Sequence, residues 1–415
     1  MWLPRDGAKA LVSASPAKNP TDTRARLTGL DAARGLAMLL VCLSHFGDVY
    51  LHPVGLLAAN RAFTRVTLAA SPAFMLVSGL ILGFLFSTHR EGFDGLRRKL
   101  VDRALFLLTV AHLVIALAHV PRFGLAGAFD FVFITDVVGV CVITGTLVVP
   151  VVRPRVRAAL AAALYAAAAH LVFLWMPAPG SVLQLVKHLL VGHQPDLEES
   201  AFVYNFPIVP WLAFYLAATA LGEGLARVRA GSRGPGIAAL VSLGSVLMVA
   251  GTLLRVLRPV LVHLSRPGVI GEGGAIQFLT SPWQKLPPGP AYLLCYAGLA
   301  LVLLAGCLWL CQSRPDAAVA RALQLLGRHS LFVFILQYVV YYCVIYALHV
   351  PYTRLWPALF VAASLLHLLA AYAWQRAGGA RLLTVGYPPL IAWAERVEKV
   401  PLPWRVPALG GAGSS

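Results

Sequence analysis

Charge is what this chain has least of. Only 12% of its 415 residues are Asp, Glu, Lys or Arg, and the 17 acids are outnumbered by 34 basic residues. Alongside 59% hydrophobic residues, so little charge cannot cover the surface of a soluble domain, and the composition points to a polytopic membrane protein. Several chemical signatures are missing too. No Walker loop, dinucleotide fingerprint or metal-ligand spacing occurs, so no resident metal or nucleotide cofactor is expected. The six cysteines, Cys42, Cys141, Cys295, Cys307, Cys311 and Cys343, lie in apolar stretches without zinc-site spacing. Free buried thiols are expected, not a disulfide framework. Met1 to Arg26 is polar and basic and has no apolar h-region, so the first apolar segment is expected to act as the signal for membrane insertion. No strict internal repeat occurs, and the alanine run from Ala158 to Ala169 reads as close helix packing.

What the chain does have is apolar runs. A helix crosses the hydrocarbon layer with about 20 apolar residues. Ten segments meet that test, near 29–50, 66–87, 104–120, 128–150, 157–176, 204–226, 236–256, 289–312, 329–349 and 355–375. The expected fold is therefore all-α, a multi-pass bundle of about ten transmembrane helices. The net charge of +17 fits basic cytoplasmic connections better than nucleic-acid binding. Both tails and every even-numbered connection are rich in Lys and Arg, as in Arg97, Arg98, Lys99 and Arg103 or Arg153, Arg155 and Arg157. That alternation puts both termini in the cytoplasm. One connection runs against it: the loop after the seventh segment, on the outer side, carries Arg255, Arg258, Arg266 and Lys285. The division is a basic tail over 1–26, a membrane domain over 27–376 and a Pro-rich tail over 377–415. Usage heavy in Ala, Arg, Gly, Leu and Val suggests a GC-rich bacterial source, hence an inner (plasma) membrane.

Titratable side chains are costly inside a bilayer and mark function by default. The first segment holds Asp31, Arg34 and His45, with Asp48 one turn further on. Arg34 and His45 are eleven residues apart, which on a helix places them within roughly 20° of one another and about 16 Å apart along the axis. A neutral histidine suits general-base work, an arginine grips carboxylate, phosphate or oxyanion, and Asp48 is placed to orient the His45 ring. His112 and His119 share a face of the third segment and read as packing or cavity-lining residues. Trp211, Trp283 and Trp356 fall at expected interfaces, where an aromatic belt explains them. Trp211 and Trp283 are also candidates for stacking on a sugar.

The opening Asp31-Ala-Ala-Arg34-Gly-Leu-Ala with His45 resembles the first helix of the transmembrane acyltransferase superfamily. That group includes the acyltransferase-3 family, the heparan-α-glucosaminide N-acetyltransferase-like proteins and the glucan succinyltransferases. Ser71-Pro-Ala-Phe-Met-Leu-Val-Ser-Gly79, Phe206-Pro-Ile-Val-Pro-Trp-Leu212, Lys285-Leu-Pro-Pro-Gly-Pro290 and Leu326-Gly-Arg-His-Ser-Leu-Phe-Val-Phe334 resemble later motifs of the group, in the same order. In acyltransferase-3 enzymes an arginine and a histidine at this spacing form the functional pair, which the resemblance carries onto Arg34 and His45. The glucosaminide branch instead places its histidine in the loop after the first helix, where His52 stands. Relatives often carry a histidine late in the chain, where this sequence has Gln337. The compact Arg-Arg-x-x-Arg of acyltransferase-3 members is looser here, as Arg97-Arg-Lys-Leu-Val-Asp-Arg103.

The resemblance implies acyl transfer from cytoplasmic acyl-CoA, acetyl-CoA first, to a glycan or other envelope acceptor at the outer face. Acyl-CoA would be a substrate, with no cofactor bound permanently. His45 would serve as base or acyl relay, with His52 in reserve and Asp31 and Asp48 in support. Arg34 would position the donor or stabilise charge, and Arg97, Arg98, Lys99 and Arg103 would hold the CoA phosphates. The expected partners are acyl-CoA, the acceptor and the lipid bilayer, with no nucleic acid. A homodimer stays open. Succinyl transfer to periplasmic glucans and proton-coupled transport or flipping are the alternatives.

Overall fold

The structure, a computed structural model, describes residues 20–51, 61–194, 198–227, 233–264, 272–350 and 354–386. His52 lies outside the described residues, as do most of the basic tail and the Pro-rich tail beyond 386. The described chain is almost entirely helical. Among the described residues, nine helices are long and apolar enough to cross a membrane, or ten if a bent pair counts as one crossing. In order the spans are Thr28–Leu51, Phe63–Thr88, Phe93–Ala128, Ile134–Val151, Pro154–Leu174, Ile208–Arg227, Gly236–His263, Pro290–Ser313, the bent pair Ala318–Arg328 and Ser330–Tyr346, and Trp356–Arg376. We number them first to tenth. They correspond one to one with the ten apolar segments of the sequence.

Burial sorts the spans into centre and rim. In the fifth, seventh and tenth spans only 22%, 17% and 17% of the apolar window is buried, against 50% or more in the other single-helix spans. Their outward residues, such as Val246, Val249, Leu366 and Leu369, are exposed aliphatics. Such faces suit lipid or an apolar partner surface. The first span sits at the centre and contributes to both large clusters of buried apolar residues, Met38, Val41 and Phe46 to one and Leu30, Ala33 and Ala37 to the other.

The centre is closed by small residues. Lipid tails are as apolar as leucine, so helices in a membrane associate through close backbone packing. Where the first and ninth spans cross, a Cβ on Gly35 would fall 1.9 Å from the Leu323 carbonyl oxygen. A Cβ on Gly327 would fall 1.8 Å from that of Asp31. Only glycine on both helices permits this approach. Trp211 departs from the belt expected of it. It is fully buried, with its ring near Phe206, Phe214 and Tyr292, so it is a core residue facing neither lipid interface nor ligand. Trp283, in contrast, is 40% exposed.

One charged group is locked into the core. Arg157, at the start of the fifth span, is wholly buried and donates to Glu223 of the sixth, itself 2% exposed. It also donates to the carbonyls of Val149 and Val152, at 3.3 and 3.0 Å. Removing one partner of a buried pair strands the other charge without compensation, at about 3–5 kcal/mol. Glu223→Ala is therefore expected to lower stability by about that amount, read as a fall in the thermal unfolding midpoint of the solubilised protein. Arg227→Ala is expected to have little effect, because Arg227 reaches the same carboxylate at 3.3 Å from a 61% exposed position.

Candidate active site

The first span carries Arg34 and His45 into two cavities. Arg34 lines one of about 150 Å³, together with Ser78, Arg103, Tyr215, Arg328 and Phe334. His45 lines another of about 510 Å³, with Asp48, His119, Arg122, Lys285 and Tyr338 among its walls. Phe74 is the one residue common to both linings. Its ring lies 6.1 Å from that of Phe334, which is in turn 6.2 Å from the His45 imidazole. Two aromatic rings therefore stand between the space around Arg34 and the space around His45.

The geometry around His45 depends on widened helical turns. The first span changes to a π-helical turn over Gly47–Leu51, directly after His45, and the ninth does the same over Val339–Tyr346. Such turns add a residue to the helical repeat and re-aim the side chains beside them, often at functional sites. The Gln337 amide lies against His45 Nδ1, with Oε1 at 3.0 Å and Nε2 at 2.6 Å. Only one of the two can bond at a time, so the amide's orientation and the imidazole tautomer are set together. The Tyr338 hydroxyl is 3.5 Å from His45 Nε2, and the two rings are 4.7 Å apart.

The supporting acids are engaged elsewhere than the sequence suggested. Asp48 was expected to orient the His45 ring, but its Oδ2 accepts from Arg122 at 2.6 Å and from the Tyr342 hydroxyl at 3.1 Å. The widened turn after His45 is the local change that separates Asp48 from a plain helical position. Gln337 occupies Nδ1 instead. Asp31, one turn before Arg34, accepts from Arg328 Nε of the ninth span at 3.2 Å. Of the four basic residues proposed to hold phosphates, Arg103 lines the Arg34 cavity. Arg97 is buried and lies 3.7 Å from Asp94, while Arg98 and Lys99 point outward. At 100° per residue, adjacent positions on a helix cannot share one target.

Sequence reasoning missed part of the His45 cavity and put His119 down to packing or cavity lining. His119 is buried and donates from Nδ1 to the Ile115 carbonyl at 2.8 Å, which leaves the lone pair on Nε2. Its ring is 4.4 Å from Tyr342 and 5.3 Å from Tyr338. His112 bonds both oxygens of Asp136 at 3.0 Å and is not among the cavity walls. Tyr338 and Tyr342 are one turn apart on the same helix, a spacing that was visible in the sequence but carries no charge to draw attention to it. Arg122 follows Pro121 at a span's end and reads there as an interface residue.

The stretch before the sixth span closes one side of this cavity. Phe131–Val132 pairs in parallel with Tyr204–Asn205, and Tyr204 and Phe206 line the space. The stretch is held by a buried ion pair, Lys187 Nζ to both Glu198 oxygens at 2.6 Å. His188 accepts from the Ala201 N–H at 3.0 Å. Burial holds the His188 imidazole below its ordinary pKa, against the opposing pull of Glu198. The neutral ring is the form that can accept that hydrogen bond.

The acyltransferase domain of the acyltransferase-3 family matches residues 27–374. The chain belongs to the acyltransferase-3 family. No curated protein matches it. Family membership and the helical spans together make this chain a multi-pass membrane acyltransferase. The matched region begins just before Asp31 and ends within the tenth span, so it takes in the residues lining both cavities except Leu383.

Proposed function

We propose that this acyltransferase moves a short acyl group, acetyl in the first instance, from cytoplasmic acyl-CoA to a hydroxyl or amine of a cell-envelope acceptor on the outer side. The observation that carries this reading is the pairing of the two cavities, one built on Arg34 and one on His45, with Phe74 common to both. The Arg34 cavity lies where the basic connections end, beside Arg103 and Arg328, and the positive-inside rule assigns that end to the cytoplasm. Its 150 Å³ admits a thioester arm and leaves the nucleotide outside. Arg34 and His45 stand about 16 Å apart along the helix, too far to touch one oxyanion. Arg34 therefore anchors the donor.

The chemistry then falls to the His45 side. With Nδ1–H donating to Gln337 Oε1, the Nε2 lone pair takes the proton of the acceptor hydroxyl. The acceptor oxygen attacks the thioester carbonyl carbon, and the Tyr338 hydroxyl is the nearest donor to the oxyanion that forms. The C–S bond breaks, and the proton held by His45 passes to the leaving thiolate to give free CoA and the acylated acceptor.

The test is transfer of labelled acetyl from acetyl-CoA by purified protein in lipid nanodiscs. Arg34→Ala removes one charge-assisted contact worth about 1.5–3 kcal/mol. It is expected to raise the KM for acetyl-CoA about ten- to hundredfold, with a smaller effect on kcat. An unchanged kcat/KM overturns the donor role. Arg103 in the same cavity favours a second donor, succinyl-CoA, whose free carboxylate it would meet. Running both donors in the same assay separates the two.

A further inference from the structure

The basic loop on the outer side, Arg255 to Lys285, runs against the charge asymmetry of the other connections. The fold gathers part of it at the His45 cavity. Three charged side chains line that cavity: Asp48, Arg122 and Lys285. Asp48 and Arg122 neutralise each other at 2.6 Å. Lys285 has no carboxylate partner among the described residues. Its Nζ donates to the Tyr204 hydroxyl at 3.1 Å and stands 5.1 Å from the centre of the Phe206 ring. A lysine ammonium has three donors, and one neutral hydroxyl with an aromatic face offsets only part of the cost of half-burying it. Two more cations flank the same loop. Arg65 and Arg255 lie 5.1 and 5.4 Å from the Trp283 ring centre, two residues before Lys285. Among the described residues, Lys285 thus brings to the cavity wall a half-buried ammonium with no carboxylate partner, next to a loop that carries two further cations.

We infer that Lys285 is an anion-recognition residue of the acceptor site, and that the acceptor carries a carboxylate or phosphate on the same molecule as its reactive hydroxyl. The inference rests on the acyl-transfer reading for the word acceptor. The anion site itself stands on the charge inventory alone. Charge-assisted contact with a compact ammonium in a partly dry cavity favours an anion over its neutral isostere. An anionic lipid headgroup offers the same chemistry, so the source of the anion has to be separated experimentally.

The probes are methyl glucuronide and its uncharged counterpart methyl glucoside. Their binding to the full-length protein in phosphatidylcholine nanodiscs is measured by calorimetry at low salt. The glucuronide is expected to bind at least about tenfold more tightly, the range of a charged hydrogen bond. That preference is expected to vanish in Lys285→Gln and to survive in Lys285→Arg, which keeps the charge and reports on folding. Equal affinities in the wild type, or a preference that survives Lys285→Gln, overturn the inference. Repeating the titration with phosphatidylglycerol in the nanodisc tests the lipid source. Lys285-dependent loss of glucuronide binding there assigns the site to headgroups and overturns the acceptor assignment. Acetyl turnover without any anion preference leaves the transfer reading standing and removes the anion site. A Lys285-dependent preference in a protein that does not turn over acetyl-CoA does the reverse.

Discussion

His45→Ala is expected to lower the acyl-transfer rate by about a hundredfold to ten-thousandfold, the range for loss of a positioned general base. The loss is expected in kcat, with the KM for acetyl-CoA little changed, because the proposed donor anchor, Arg34, lines the other cavity, beyond Phe74 and Phe334. Among the described residues lining the cavity, His119 is the one candidate to take over its role. Asp48 is spent on Arg122 and Tyr342, and the tyrosine hydroxyls around it are neutral and poor bases at ordinary pH. His119 is the one other imidazole lining the cavity, and its lone pair is on Nε2. Any residual rate in the variant that disappears on adding His119→Ala would reveal a substitute base. A His45→Ala protein with wild-type kcat would remove His45 from the chemistry, and with it the mechanism proposed above.

Gly327→Val is expected to prevent assembly of the protein altogether. Overpacking a core costs about 1–3 kcal/mol when side chains can adjust. Here the clash is with backbone: the new Cβ would lie 1.8 Å from the Asp31 carbonyl oxygen and 2.9 Å from the Gly35 nitrogen. The first and ninth spans would have to separate, and these two helices carry Arg34, His45, Gln337, Tyr338 and Tyr342. The expected readout is loss of the monodisperse peak in size-exclusion chromatography of the solubilised protein, together with loss of transfer. Gly306→Val is the control, since a Cβ at Gly306 meets nothing within 4 Å. A monodisperse, active Gly327→Val protein would show that the crossing tolerates a wider separation.

The spans were legible because hydropathy is a local property, and each apolar run has its helix. The bend in the ninth was not. The motif from Leu326 to Phe334 reads as the start of a helix, whereas the chain already runs as a helix over Ala318–Arg328 and turns by 79° before Ser330–Tyr346. Arg321 and Arg328 made that first half look like a polar connection, but Ala320, Leu323 and Leu326 form its buried stripe. In the site, Arg34 and His45 stood out because charge in an apolar run is costly. Gln337 could be noticed only as a glutamine where relatives often have histidine, and its contact with His45 crosses 292 positions of sequence. The pairing of Asp48 with Arg122 is likewise tertiary. A helical wheel offers Asp48 to His45, and only the neighbouring third span offers it a stronger, charged partner.

The layer formed by Phe74 and Phe334 also bears on bioenergetics. Were the two cavities continuous, the bundle would hold a hydrated, charge-lined channel from one face of the membrane to the other, and protons would leak down the membrane potential at a rate unrelated to catalysis. Each elementary charge crossing loses about 2.3 kcal/mol per 100 mV. Two aromatic rings between the cavities would form an apolar constriction of the kind that blocks ion conduction by dewetting. If donor and acceptor approach from opposite faces as proposed, a flexible acyl arm would displace such rings one molecule at a time, and the enzyme would remain an electrical insulator.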